Sequence, residues 1–133
     1  MPERHYDLGT AELEVLKVLW EHGRCTVRQV LACLHEAGRH VKYTTALTFL
    51  TRLEQKGYVA SDKRGLAYVY RATLSRERVT RSRLKTLVQQ LYDGAAAPMV
   101  LQLMRTQSFS PDEIAALHAL IDELDTKAKR QGD

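Results

Sequence analysis

The 133-residue chain carries a formal net charge of +4, with apolar and charged fractions of 44% and 27% that are those of an ordinary soluble globular protein. No apolar run approaches the roughly 20 residues of a membrane span, and the opening MPERHYD lacks the apolar core of a signal peptide, so a cytoplasmic protein without membrane insertion is expected. The basic excess permits a polyanionic partner without requiring one.

Two cysteines, Cys25 and Cys33, are too few for a disulfide framework, and with no CxxC they argue against structural zinc. No cofactor or metal is expected. Cys33, His35 and His40 lie close enough in sequence to stand as an alternative metal or redox sensor, whereas His5, His22 and His118 are scattered.

In chain order, Thr10 is placed to cap a first helix whose opening turn holds Glu12 and Glu14, favourable at the positive end of the helix dipole. Leu13, Leu16 and Trp20, flanked by Val15 and Leu19, give that helix a wide apolar stripe to about Glu21, and Gly23 ends it. Thr26 with Gln29 three residues on is a capping-box pattern. Val27, Val30, Leu31 and Leu34 supply the buried side of this second helix, and Gly38 stops it.

The stretch from Val41 to Gly57, VKYTTALTFLTRLEQKG, predicts a third helix of about four turns ending at a glycine suited to a left-handed stop. At about 100° per residue, Thr51, Thr44, Gln55, Thr48, Arg52 and Thr45 fall on one arc of roughly 120°, with Ala46, Leu47, Phe49, Leu50 and Leu53 filling the rest. Threonine is a poor helix former, and four of them on one face cost roughly 2 kcal/mol relative to good ones. The arc carries no carboxylate, since Glu54 lies off it. Hydroxyls, an amide and a guanidinium without negative charge suit a helix that enters a nucleic-acid groove.

After it, YVASDKRGLAYVYRA alternates around Lys63, Arg64 and Gly65 and reads as a β-hairpin with a basic tip. Three helices followed by a basic hairpin describe a winged helix-turn-helix. The fold class expected is therefore mostly α with a small β-hairpin, residues 1–74 forming the DNA-binding domain.

Beyond Thr73 the composition changes. Ser75 is placed to cap a helix from Arg76 to about Tyr92 with Leu84, Leu87, Val88 and Leu91 along one side. Arg76, Arg78, Arg81, Arg83 and Lys85 scatter around its first half as a solvated shank, from which some could meet phosphates. Asp93 and Gly94 end it, and Pro98 is expected to begin a short helix containing Met99, Val100, Leu103 and Met104. Ser110, Pro111 and Glu113 open a last helix with Ile114, Leu117, Leu120, Ile121 and Leu124 as its stripe. The polar tail, 125–133, is expected to fray.

These three helices, 75–124, form too small a unit to build a comfortable core alone. The economical partner is a second copy of the chain, a homodimer holding two reading helices about one DNA turn, roughly 34 Å, apart. The alternative is a monomer in which they pack on the winged helix.

The segments LGTAELEVLKVLWEHG, TVRQV, KYTTALTFLTRLEQKGYV, YDGAAAPMVLQLM and FSPDEIAAL resemble the BlaI/MecI family of penicillinase repressors, to which the copper-responsive CopY-type repressors also belong. The resemblance runs from about residue 6 to 124. It implies a dimeric winged-helix repressor on a palindromic operator in double-stranded DNA. The matching positions are Lys42, Thr44, Thr45, Thr48 and Arg52 in the reading helix and Lys63 and Arg64 in the wing. Resemblance to the penicillinase branch also implies a membrane sensor protease as partner, triggering cleavage at an Asn-Phe bond. The equivalent pair here is Gln102 and Leu103, and the tail TKAKRQGD lacks the cysteine cluster of the copper branch.

Two other readings remain beside it. A winged helix can serve as a protein-interaction module through the same arc. An enzyme is not expected, because the chain has no nucleophile elbow, phosphate-cradling glycine loop or HExxH; His35 and Glu36 merely adjoin.

Overall fold

A computed structural model describes residues 8–132, so His5 and the opening MPERHYD lie outside the described residues. The chain divides into two compact units, with the boundary between Leu84 and Lys85.

The first unit contains α1 (Thr10–His22), β1 (Cys25–Thr26), α2 (Val27–Glu36), α3 (Tyr43–Gln55), β2 (Val59–Asp62), β3 (Val69–Ala72) and the opening turns of α4 (Arg76–Tyr92). Its core interlocks Val15, Leu16 and Leu19 of α1 with Val30 and Leu34 of α2 and Ala46, Leu50 and Leu53 of α3, closed by Val59 and Tyr70 from the sheet. The strands run β1-β3-β2, all antiparallel, with Cys25 opposite Tyr70 and Ala60 opposite Arg71. Sequence periodicity identifies the hairpin but not β1, which at two residues is too short to show any alternation.

The α1 cap differs from expectation. Gly9, extended at φ −64° and ψ 157°, is the N-cap, and its carbonyl accepts the Leu13 N–H at 2.9 Å. Thr10 is already helical, and a side chain caps only from a non-helical backbone. The capping box at α2 forms as expected: Gln29 N–H donates to Thr26 Oγ1 at 3.2 Å, and Thr26 N–H donates to Gln29 Oε1 at 2.8 Å.

Both stops flanking α3 also follow the expectation. After α2, Gly38 at φ 91° lets Arg39 N–H reach the Leu34 carbonyl. After α3, Gly57 at φ 85° donates to Glu54 O while Tyr58 N–H donates to Leu53 O, the paired bonds of a Schellman motif. Ion pairs then tie both ends of α3 to α1. Arg39, just ahead of it, binds Glu14, and Lys56, just behind it, places Nζ 2.6 and 2.8 Å from the two carboxylate oxygens of the buried Glu12.

The start of α4 belongs with this first unit rather than after it. Val79 is buried in the core, Trp20 Nε1 donates to the Leu74 carbonyl at 2.8 Å, and the Arg76 guanidinium lies over the Trp20 ring. Ser75 caps α4 by accepting the Arg78 N–H at 3.1 Å.

The second unit holds the rest of α4, then α5 (Ala96–Thr106) and α6 (Pro111–Gly132). Asp93 and Gly94, both at positive φ, turn the chain out of α4. The α5 helix starts two residues before Pro98, which costs nothing because proline lacks only an N–H that the first turn leaves unpaired anyway. At α6, Ser110 and Glu113 exchange both bonds of a capping box, at 2.8 and 3.1 Å.

The tail expected to fray is instead helical through Gly132. An Asp125–Lys129 pair one turn apart and the cations Lys129 and Arg130 at the negative end of the dipole support it.

Candidate nucleic-acid interface

The α3 helix sorts its side chains into the two faces that its sequence predicts. Ala46, Leu50 and Leu53 are fully buried, with Leu47 and Phe49 packed at the margin. Opposite them Thr44, Thr48, Thr51, Arg52 and Gln55 are exposed, and Thr45 is half-buried. The Glu54 carboxylate is drawn away by the first wing strand, accepting the Ser61 N–H at 3.2 Å and its hydroxyl at 2.6 Å. The exposed arc therefore presents no negative charge.

Two of the threonines are not free donors. Thr48 Oγ1 donates to the Thr44 carbonyl and Thr51 Oγ1 to the Leu47 carbonyl, each at 2.9 Å. What they turn outward is a methyl and an acceptor lone pair, suited to a thymine methyl or to an exocyclic amine on a base edge. Arg52 is the one guanidinium on the arc, and it makes no ion pair among the described residues.

Lys42 stands at the N-cap of α3 with no side chain capping the helix and no acid in the first turn. This end of α3, with its outward N–H groups and positive dipole, is open to a phosphate. Beside it the Arg28 guanidinium lies 5.5 Å from the centroid of the half-exposed Tyr43 ring. Sequence reading misses this pair: Arg28 sits inside an amphipathic pattern as an ordinary surface cation, and only the packing of α2 on α3 brings it to Tyr43.

Lys63 and Arg64 occupy the exposed 63–68 loop between β2 and β3. Lys63 Nζ lies over the Tyr68 ring. Arg64 folds back on Asp62, donating from Nε at 3.0 Å and from Nη2 at 2.8 Å, one bond to each carboxylate oxygen. These bonds hold the Asp62 carboxyl well below the usual carboxylate range. Sequence reading does not anticipate that the wing arginine is already engaged by a neighbour two residues away.

Of the residues expected to dimerise, Leu84, Leu87, Leu91, Val100, Leu103, Met104, Ile114, Ile121 and Leu124 are exposed, and Val88 and Leu117 are half-buried. Leu101 and Leu120 are exposed with them. The pair Gln102 and Leu103 lies inside α5, where the Gln102 carbonyl accepts the Thr106 hydroxyl at 2.8 Å. Cys33, His35 and His40 do not form a metal cluster: among the described residues no three potential ligands converge, and His35 Nε2 is 2.9 Å from the Val41 carbonyl oxygen. The His35 and His40 rings sit 5.2 Å apart. Among the described residues no helix is long and apolar enough to cross a membrane.

A winged helix-turn-helix with a carboxylate-free polar face defines a DNA-binding transcriptional regulator. The sequence model of the penicillinase repressor family matches residues 8–123, and the chain belongs to that family. It is 27% identical over 122 residues to the penicillinase repressor of Bacillus licheniformis, covering 92% of this chain and 94% of the relative. It is 21% identical over 123 residues to the methicillin resistance regulatory protein MecI of Staphylococcus aureus strain N315, covering 92% and 99%.

Among solved structures, monomeric Bacillus licheniformis BlaI in complex with the blaP half-operator aligns with a TM-score of 0.46 at 30% identity, over 55% of this chain and 88% of that one. Wild-type MarR from Escherichia coli aligns with a TM-score of 0.46 at 22% identity, over 89% and 78%. The protein is a DNA-binding transcriptional repressor of the penicillinase repressor family, not an enzyme.

Proposed function

We propose that two chains pair as a homodimer in the cytoplasm, through the helices from Ser75 onward, and bind a palindromic operator, each laying α3 in a major groove. The observation that carries this reading is the α3 face itself: five exposed polar side chains without a carboxylate, backed by three fully buried apolar ones. Arg52 reads a base, guanine being the best match to its fork, while Thr44, Thr45 and Thr48 contact base edges or phosphates nearby. Lys42, Lys63 and Arg64 hold phosphates.

Dimerisation is supported by the apolar side chains left in solvent. Leu91, Leu103, Ile121 and Leu124 are each more than half exposed, and no residue of α5 or α6 is buried. Exposed apolar residues recurring along successive helices mark a surface that a partner covers. A sensor protease as a further partner is supported by the family alone, because Gln102 and Leu103 replace the scissile Asn-Phe pair.

The test is selection from a pool of random duplexes by the purified full-length protein at two salt concentrations. An enriched palindrome with half-sites about 10 base pairs apart is expected. Binding without an enriched motif that disappears with salt refutes operator recognition and brings forward the protein-interaction reading.

A further inference from the structure

The outer face of the wing sheet carries a second cluster of cations that neither α3 nor the wing tip uses. Cys25 and Tyr70 are paired across β1 and β3 and both are buried, so the neighbouring residues on these strands turn the other way. Arg24 immediately precedes β1, next to the Cys25–Tyr70 pair, Arg71 follows Tyr70 on β3 opposite Ala60 of β2, and both arginines line the same hollow. Arg24 and Arg71 are exposed, and neither has an ion-pair partner among the described residues.

Together with Lys63 and Arg64 they line an open hollow of about 420 Å³, with the small Ala60 side chain in its wall. The one carboxylate lining it is Asp62, and both of its oxygens are taken by Arg64. Arg64 and Asp62 therefore neutralise each other, and Arg24, Lys63 and Arg71 remain as the surplus cations lining the hollow.

We propose that this hollow is a binding site for a phosphate-class anion, held between the Arg24 and Arg71 guanidinium groups. Their planar forks match the paired oxygens of a phosphate, and among the described residues neither arginine is held in an ion pair that would compete for it. Two sources share this chemistry: a backbone phosphodiester of DNA running past the wing, and a free phosphate or diphosphate group. The first source rests on the operator reading above; the second is independent of it.

The experiment compares the full-length protein with the Arg24→Gln/Arg71→Gln double variant, its fold checked by circular dichroism and thermal melting. Both residues are exposed, so an unchanged melting temperature is expected. DNA affinity is measured on the selected operator and on random duplex across a salt series, and inorganic pyrophosphate is titrated by calorimetry.

If the anion is DNA backbone, the double variant loses about five- to fiftyfold in affinity on both duplexes alike, and its salt slope falls by about one to two. If it is a free group, wild type binds pyrophosphate with one site per chain, the variant binds it at least about tenfold more weakly, and the DNA slope is unchanged. Wild-type behaviour of the double variant in both titrations overturns the site. A wild type that selects no operator yet binds pyrophosphate through these arginines leaves the site standing and removes the operator reading instead.

Discussion

Replacing Arg52 with alanine separates base reading from simple charge attraction. Arg52 is exposed on the α3 arc in the helix's last turn, without an ion pair among the described residues, while the residues that hold α3 in place are on its other face. Its loss should therefore leave folding stability within about 0.5 kcal/mol of wild type. A bidentate contact to guanine is worth about 1–3 kcal/mol of discrimination, so operator affinity should fall about 5- to 150-fold while random-sequence affinity falls far less. Lys63→Ala is the control. As a phosphate contact it should weaken operator and random duplexes similarly and lower the salt slope by about one. Fluorescence anisotropy on both duplexes at four or five salt concentrations gives all of these quantities. Equal losses of Arg52→Ala on operator and random DNA would refute the assignment of Arg52 to base reading.

Other consequences follow from the same geometry. Thr48→Val keeps the methyl and replaces the whole hydroxyl, whose hydrogen is already spent on the Thr44 carbonyl, so with the methyl as the contact operator affinity should stay within about threefold of wild type, whereas Thr48→Ala should lose more; a Val variant as weak as Ala would show that the hydroxyl oxygen is the contact. Lys56→Met strands the Glu12 carboxylate, whose residue is 6% exposed, and should cost about 2–4 kcal/mol in urea unfolding, while Glu12→Leu combined with Lys56→Met should recover most of it; additive losses would contradict a coupled pair. Hydrogen bonding from Arg39 holds the Glu14 carboxyl below its ordinary range, so the pair stabilises the fold above the unfolded-state value of about 4 and is lost as pH falls through the lower folded value. Thermal melts of Arg39→Gln should accordingly converge on wild type at the acid end, and a constant gap from pH 7 to pH 2 would count against the linkage.

The parts of the fold legible in the sequence are those fixed by local chemistry. Thr26 with Gln29, Ser110 with Glu113, and the glycines at 38 and 57 each announce a helix end by a mechanism that acts within five residues, and each forms in the structure. What escaped depends on distant partners. Strand β1 exists because Cys25 and Thr26 lie against Tyr70 and Val69, some 44 residues away. Glu12 reads as a dipole-complementing first-turn acid, yet it is a buried anchor for Lys56 because α3 packs across α1. The site divides in the same way. Helical periodicity alone places the Thr and Arg arc on α3, whereas Arg24 and Arg71 become neighbours only through strand register, and Arg64 meets Asp62 only through the curl of the wing loop.

The anchors also explain how α3 tolerates a face so poor in helix formers. Its four threonines cost roughly 2 kcal/mol against good helix formers, and the back-bonding of Thr48 and Thr51 adds to that. Burial of Leu50 and Leu53 contributes about 3–6 kcal/mol, and the Gly57 stop and the ion pairs to Glu12 and Glu14 hold both ends. With its stability supplied from the inner face and the ends, the outer face is free to be shaped by what it binds. Converting Thr44, Thr48 and Thr51 together to alanine should then raise stability by about 1–1.5 kcal/mol, roughly 5 °C in melting temperature, while weakening operator binding at least about tenfold. Opposite movement of the two quantities is the signature of a face kept for recognition at the expense of helix propensity. If the triple variant gains stability and keeps full operator affinity, the threonines are a solvated surface and recognition must be carried by Arg52 and the flanking cations alone.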